Sequence, residues 1–154
     1  MGATTVVILE SGSRWPAWLG EDPAATRDVA VVAQRAGESL KSFKRRATRR
    51  IRSFETSTTP LTGVLVCSGG VSTEAFAFRH SVMQKLLGMM QAAERGHVVL
   101  VADGNYAQQR RLAWLAAGLN EQLDDASMVS LRFRTMPRPE RQAASPQEDG
   151  LRVA

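Results

Sequence analysis

Four short loops hold most of the side chains in this chain that could handle a phosphate or activate water. They are Glu10-Ser11-Gly12-Ser13-Arg14, Gln34-Arg35, Cys67-Ser68-Gly69-Gly70 and Asp103-Gly104-Asn105, and each follows an apolar run. Three of them set Gly beside a hydroxyl or a carboxylate. Gly lets backbone approach a ligand, and a helix starting just afterwards offers free N–H groups with partial positive charge. The candidate ligand- or phosphate-binding residues are therefore Glu10, Ser11, Ser13 and Arg14 in the first loop. Ser68, Gly69, Gly70, Ser72 and Thr73 follow in the third, and Asp103 and Asn105 in the fourth. Glu10 and Asp103 would make a carboxylate pair for metal binding or acid–base work if the first and fourth strands are neighbours. The same residue types also serve every strand-to-helix turn for its own geometry, as caps and as left-handed positions.

Sharper motifs are absent. No Gly-Lys-Ser/Thr follows Gly69-Gly70, and Gly-x-Gly-x-x-Gly does not occur. A nucleophilic cysteine of the thiol-phosphatase type needs an arginine six residues on, where this chain has Thr73. Cys67 ends an apolar run and is expected to pack as a small hydrophobe. A phospho-acceptor arrangement needs an acidic pair after the first strand, an Asp after the third and a Lys after the fifth, and these are missing. His80 and His97 are too far apart for a local metal motif, so no metal is expected. The catalytic residues, if there are any, cannot be named, and whether the chain is an enzyme stays open.

The second chemical signal is charge. Lys41–Arg52 reads KSFKRRATRRIR, with Lys41, Lys44, Arg45, Arg46, Arg49, Arg50 and Arg52 and no acid. These seven exceed the chain's net charge of +5, so the remainder is slightly acidic. Arginine pairs bidentately with phosphate, which makes the row a polyanion-binding candidate for nucleic acid or an acidic protein partner. A solvated or protein-binding face is the default reading. No aromatic is interleaved on this basic face, so it lacks a stacking platform.

The elements that would carry these residues follow from periodicity. Thr4–Leu9, Val29–Ala33, Val64–Cys67 and Val98–Ala102 are nearly continuous in apolar residues and predict strands covered on both faces. Val129–Phe133 alternates with Ser130, Arg132 and Arg134, which predicts an edge strand. That edge is a candidate homodimer contact. Leu40, Phe43, Ala47, Ile51 and Phe54 define a helix over 39–55. A second stripe runs from Ala75 to Ala93, with Gly96 as its expected C-cap, and a third through Leu112 and Leu119, with Asn105 as N-cap. Trp15 and Trp18, in the irregular first connection, are expected to plug the gap left by a missing long helix.

Strands alternating with helices predict an α/β three-layer sandwich around a five-stranded, mostly parallel open sheet, Rossmann-like in outline and ordered 3-2-1-4-5. One domain is expected over 1–135, with a disordered tail over 136–154 that holds three of the six prolines. One cysteine, no signal-like N-terminus and no apolar run long enough to span a bilayer suit a cytoplasmic protein with no membrane contact.

Two resemblances bear on function. Ser68-Gly69-Gly70-Val71-Ser72-Thr73 resembles the SGGxDS loop of the PP-loop ATP pyrophosphatases, in which the Gly-rich turn wraps the pyrophosphate of ATP. Here Ser72 stands at the Asp position, and the loop follows the third strand rather than the first. In size and element order the chain resembles the universal stress proteins, which implies a small cytoplasmic, commonly dimeric protein, some relatives of which bind ATP. The stretch ADGNYAQQRRLAWLAAGLN lacks their Gly-x-x-Gly, nine residues, Gly-Ser/Thr spacing, which implies a relative that does not bind ATP. No cofactor is evident, and a nucleotide is the class these loops would take. The leading expectation is a non-catalytic regulatory or interaction protein. The alternatives are a nucleotide- or phosphate-ligand enzyme using the strand-end loops, and nucleic-acid binding through helix 39–55.

Overall fold

The apolar runs and amphipathic stripes assemble, in the computed structural model, into one parallel sheet and three helices. The structure describes residues 4–19, 29–54, 61–123 and 128–137. The strands are β1 (Thr4–Leu9), β2 (Val29–Ala33), β3 (Leu61–Ser68), β4 (Arg95–Asp103) and β5 (Met128–Thr135). The helices are α1 (Leu40–Arg52), α2 (Thr73–Ala92) and α3 (Tyr106–Asn120), and a three-residue 3-10 turn covers Ala17–Leu19. Every strand pair is parallel, giving the expected Rossmann-like α/β sandwich. Of the expected tail, 138–154 lies outside the described residues.

The strand order is 2-1-3-4-5, not 3-2-1-4-5. Burial explains the difference. β3 has eight residues, nearly all covered, and takes the centre. β2 has five and is only half covered, with Val31 40% exposed, so it is an edge rather than the doubly covered strand expected. β5 is the other edge, with Val129 and Leu131 buried and Ser130, Arg132 and Arg134 exposed, as its alternation requires.

This order decides where the helices go. The crossovers β2 to β3, β3 to β4 and β4 to β5 all step the same way across the sheet, and right-handed crossovers then set all three helices on one face. The order expected from sequence would have put α1 on the face opposite α2 and α3. The main core is accordingly formed by Val6, Ile8, Leu65 and Leu100 beneath Phe43 of α1, Phe78 and Leu86 of α2, and Leu112 of α3. Phe43 stacks on Phe78 at 5.2 Å between ring centres. The alternate strand residues Val7, Val64, Val66, Val99 and Val101 form a second cluster, against which Trp15 and Leu19 pack. Trp15 therefore plugs the second face as expected, while Trp18 stays 41% exposed with the Arg134 guanidinium 4.8 Å from its ring.

Local capping fits the sequence at three helix starts. Ser39, Ser72 and Asn105 each accept a hydrogen bond from the backbone N–H three residues on. The end of α2 differs from expectation. Ala93 is the C-cap, Glu94 takes the positive φ of 64°, and Gly96 lies inside β4. Gly96 is required there for another reason: a Cβ would fall 2.0 Å from Met90 Sδ.

Candidate functional site

Order 2-1-3-4-5 puts the topological switch between β1 and β3, where an open parallel sheet leaves a crevice beyond its carboxyl ends. The loops after these two strands were the strongest ligand candidates. The crevice is filled from α2 by Arg79, which is 3% exposed. Its Nε donates to Glu10 Oε2 at 2.8 Å and its Nη2 to Glu10 Oε1 at 2.9 Å. The same guanidinium donates to the carbonyls of Ser68 at 2.7 Å and Gly70 at 3.0 Å. Burial is the largest influence and works against the Arg79 charge, but the hydrogen bonds to Glu10 and the neighbouring acidic groups together outweigh it, so its pKa rises. Glu10 Oε1 also accepts from the Ser68 N–H at 3.0 Å. A charge pair this buried persists because nearly every donor and acceptor in it is matched.

The remaining candidates are tied in the same way. Ser68 Oγ donates to the Ser11 carbonyl, and Ser13 Oγ to the Val66 carbonyl at 3.4 Å. The Ser11 N–H donates to Gln34 Oε1 at 3.0 Å, linking the loops after β1 and β2. Arg14 spans to Asp103, donating from Nη2 to Oδ1 at 2.8 Å and from its backbone N–H to Oδ2 at 2.7 Å. That bond raises the Arg14 pKa. Glu10 and Asp103 are thus no carboxylate pair. β3 separates their strands, and each acid holds its own arginine. Ser72 spends its hydroxyl on the α2 cap and Asn105 its carbonyl on the α3 cap, while Thr73 is exposed in the first turn of α2.

Gly69 has φ 70°, so the turn needs glycine, but its carbonyl accepts from Gln108 Nε2 at 3.1 Å. Three successive carbonyls, from Ser68 to Gly70, therefore accept from side chains of the protein itself. Gln108 is fully buried, and its Oε1 has no hydrogen-bond partner among the described residues. An unmatched carbonyl oxygen wants a donor, the wrong polarity for a phosphate. Cys67 is fully buried beneath this network. Burial, then the neighbouring Glu10 charge, push its thiol well above the usual range, so it is no nucleophile. Among the described residues no group of three or more His, Cys, Asp or Glu gathers to hold a metal, and no helix is long and apolar enough to cross a membrane.

The basic helix is arranged differently. Arg46 alone makes an ion pair among the described residues, donating to Glu38 from Nε at 2.9 Å and Nη2 at 2.7 Å, and to the Ala33 carbonyl at 2.6 Å. These bonds, with one from the Arg35 N–H, hold the Glu38 carboxyl down at about 2. Lys41, Lys44, Arg45, Arg49, Arg50 and Arg52 are exposed and make no ion pair among the described residues. Lys41, Arg45, Arg49 and Arg52 follow one another by steps of four, four and three, a stripe of about 16 Å at 1.5 Å per residue. Arg50 sits on the opposite flank, its guanidinium 5.0 Å from the Phe54 ring.

Two features went unread in the sequence. Arg79 falls on the apolar stripe of α2, four residues after Ala75 and three before Val82. A charge on such a stripe, with Glu10 ending a buried strand, is the signal that an internal pair exists. The other is an aromatic surface between α2 and α3, where Tyr106 is 70% and Trp114 71% exposed. Phe76 lies 6.1 Å from Trp114 and 6.3 Å from His80 between ring centres. Comparison with protein-family models, with curated proteins and with solved structures finds no match to this chain.

Proposed function

We propose that this protein is a non-catalytic binding module that takes a polyanionic partner on its helical layer. The observation that carries the reading is the row of six cations on α1 without an ion pair among the described residues. Such a row has a cost. Four like-charge pairs among these six cations stand three or four residues apart on α1, each destabilising by roughly 0.2–0.5 kcal/mol. The helix tolerates this because Phe43 and Ile51 are buried, at about 1.5–3 kcal/mol apiece. A charge row kept against its own repulsion breaks a local rule of stability, and such breaks concentrate where a surface has work to do.

The layer as a whole supports the same reading. Lys and Arg number seven on α1, two on α2 and two on α3, against the single acid Glu74. Among the described residues, only Arg46 and Arg79 of that layer are ion-paired. By contrast, the strand-end loops that would serve an enzyme have committed most of their polar groups internally. Binding to phosphates or clustered carboxylates through this layer is sequence-independent and salt-sensitive.

The test is equilibrium binding of wild type and an Arg45→Glu/Arg49→Glu/Arg52→Glu variant to polyphosphate and to oligonucleotides near physiological salt. Arg46 is left alone because it anchors Glu38. Binding by wild type clearly tighter than about 10⁻⁶ M, lost in the variant while its circular dichroism and melting are retained, is the expected result. Binding no tighter than the 10⁻⁴–10⁻⁶ M background of any basic patch, or equal binding by both proteins, would overturn the proposal.

A further inference from the structure

The α2–α3 surface narrows the partner class. Tyr106, Arg110 and Trp114 stand four residues apart, so they form one outward stripe about 12 Å long. The Arg110 guanidinium lies 5.9 Å from the Tyr106 ring centre, and that of Arg111 lies 5.8 Å from Phe76. Neither arginine makes an ion pair among the described residues. Phe76 packs partly into the core and tilts against Trp114, which steadies the indole at the rim of a groove of about 410 Å³. His80 also stacks on Phe76, at 6.3 Å between ring centres, and lines the same groove.

Between this ridge and the α1 cations lies α2. Its outward positions from Ala77 through Ser81 and Gln84 to Gly88 are uncharged, and its one acid, Glu74, stands exposed in the first turn at the head of that line. Resting on the polyanion reading above, we infer that the partner is a single-stranded nucleic acid, its phosphates met by α1, Arg110 and Arg111 and its bases stacked on Trp114 and Tyr106. Exposed rings next to unpaired guanidinium groups are the two components such binding needs, a stacking platform and a phosphate track. A duplex hides its base faces and gains nothing from these rings. A protein partner would want continuous apolar area, whereas around Trp114 the apolar Val71, Ala107 and Phe76 are interrupted by the guanidinium groups of Arg110 and Arg111.

The experiment is fluorescence anisotropy with a dye-labelled 12-nucleotide single strand, the matching duplex, and polyphosphate or polyglutamate as competitors. The proteins are wild type, Trp114→Ala, Trp114→Phe and the α1 charge-reversed triple variant. Wild type should bind the single strand more tightly than the duplex. Trp114→Ala should lose at least fivefold on the single strand and little on polyphosphate, and Trp114→Phe should recover most of the loss. Trp114 is exposed, so unchanged melting temperatures separate lost stacking from lost fold. If Trp114→Ala is silent, or duplex or polyglutamate binds as well as the single strand, this inference is wrong while the polyanion reading stands. If wild type binds none of these polyanions, both are wrong.

Discussion

The carboxyl-terminal edge of the sheet and the helical layer carry similar chemistry and use it in opposite ways. At the edge, two arginines are matched to two acids, and two serine hydroxyls to backbone carbonyls, tying together the ends of three strands. On the helices, the cations stand in rows, and most lack a partner among the described residues. The edge is a clasp that fixes strand ends, while the helical layer presents charge outward. Residue type alone does not distinguish them, since Arg79 and Arg45 are the same side chain. The geometry of what lies within reach does.

The sharpest way to break this contrast is to open the clasp. Arg79→Ala leaves Glu10 buried without its counter-charge and strips the Ser68 and Gly70 carbonyls of a donor. Losing one member of a buried pair typically costs about 3–5 kcal/mol. An unfolding free energy lowered by that amount in urea titration is expected, and a change below about 1 kcal/mol would mean the pair is not structural. Gly69→Val should cost less, about 1–2 kcal/mol, because a β-branched residue must take the left-handed φ of 70°. On the phosphate-loop reading, a nucleotide at 100 times its dissociation constant would stabilise wild type by roughly 2.7 kcal/mol. On the clasp reading a thermal scan with nucleotides shows no shift.

Smaller effects sharpen the comparison. Arg14 is 43% exposed, so Asp103→Asn should cost under about 1 kcal/mol despite its short ion-pair distance. The Arg45, Arg49 and Arg52 reversal should leave stability within about 0.5 kcal/mol, because these side chains touch water and relieve repulsion when changed. The Glu38–Arg46 pair makes a pH-dependent contribution. Its folded carboxyl is depressed from 4.5 to about 2, so the contribution is complete above the unfolded value. It is lost as pH falls through that window. The stability difference between wild type and Glu38→Gln should therefore shrink from pH 5 towards pH 2, and a difference that is constant with pH would contradict the assignment.

Much of the architecture was legible in the chain, because apolar runs and three-four stripes report burial directly. Strand alternation, the alternating edge strand β5, the three helices and the cap at Asn105 came through on those grounds. Strand order did not, since right-handed crossovers are satisfied by either order, and only the relative coverage of β2 and β3 decides between them. That one ambiguity hid the fact that α1, α2 and α3 share a face, and with it the aromatic ridge beside the basic helix. The loops misled for a related reason. Gly, Ser and Asp at strand ends look the same whether they wait for a phosphate or bind Arg79, Arg14 and Gln108 from elements distant in sequence. Glu10 and Arg79 are 69 residues apart. No local window contains both.

The central claim is that the cations of the helical layer without an ion pair among the described residues are there to meet phosphates, and the salt dependence of binding tests it most directly. Each phosphate neutralised on a single strand contributes about −0.7 to the slope of log affinity against log salt. With Lys41, Arg45, Arg49, Arg52, Arg110 and Arg111 engaged, wild type should show a slope of about −4. The Arg45, Arg49 and Arg52 reversal should shrink it by about 2 or more. A wild-type slope near zero, or one unchanged by the reversal, would contradict the account.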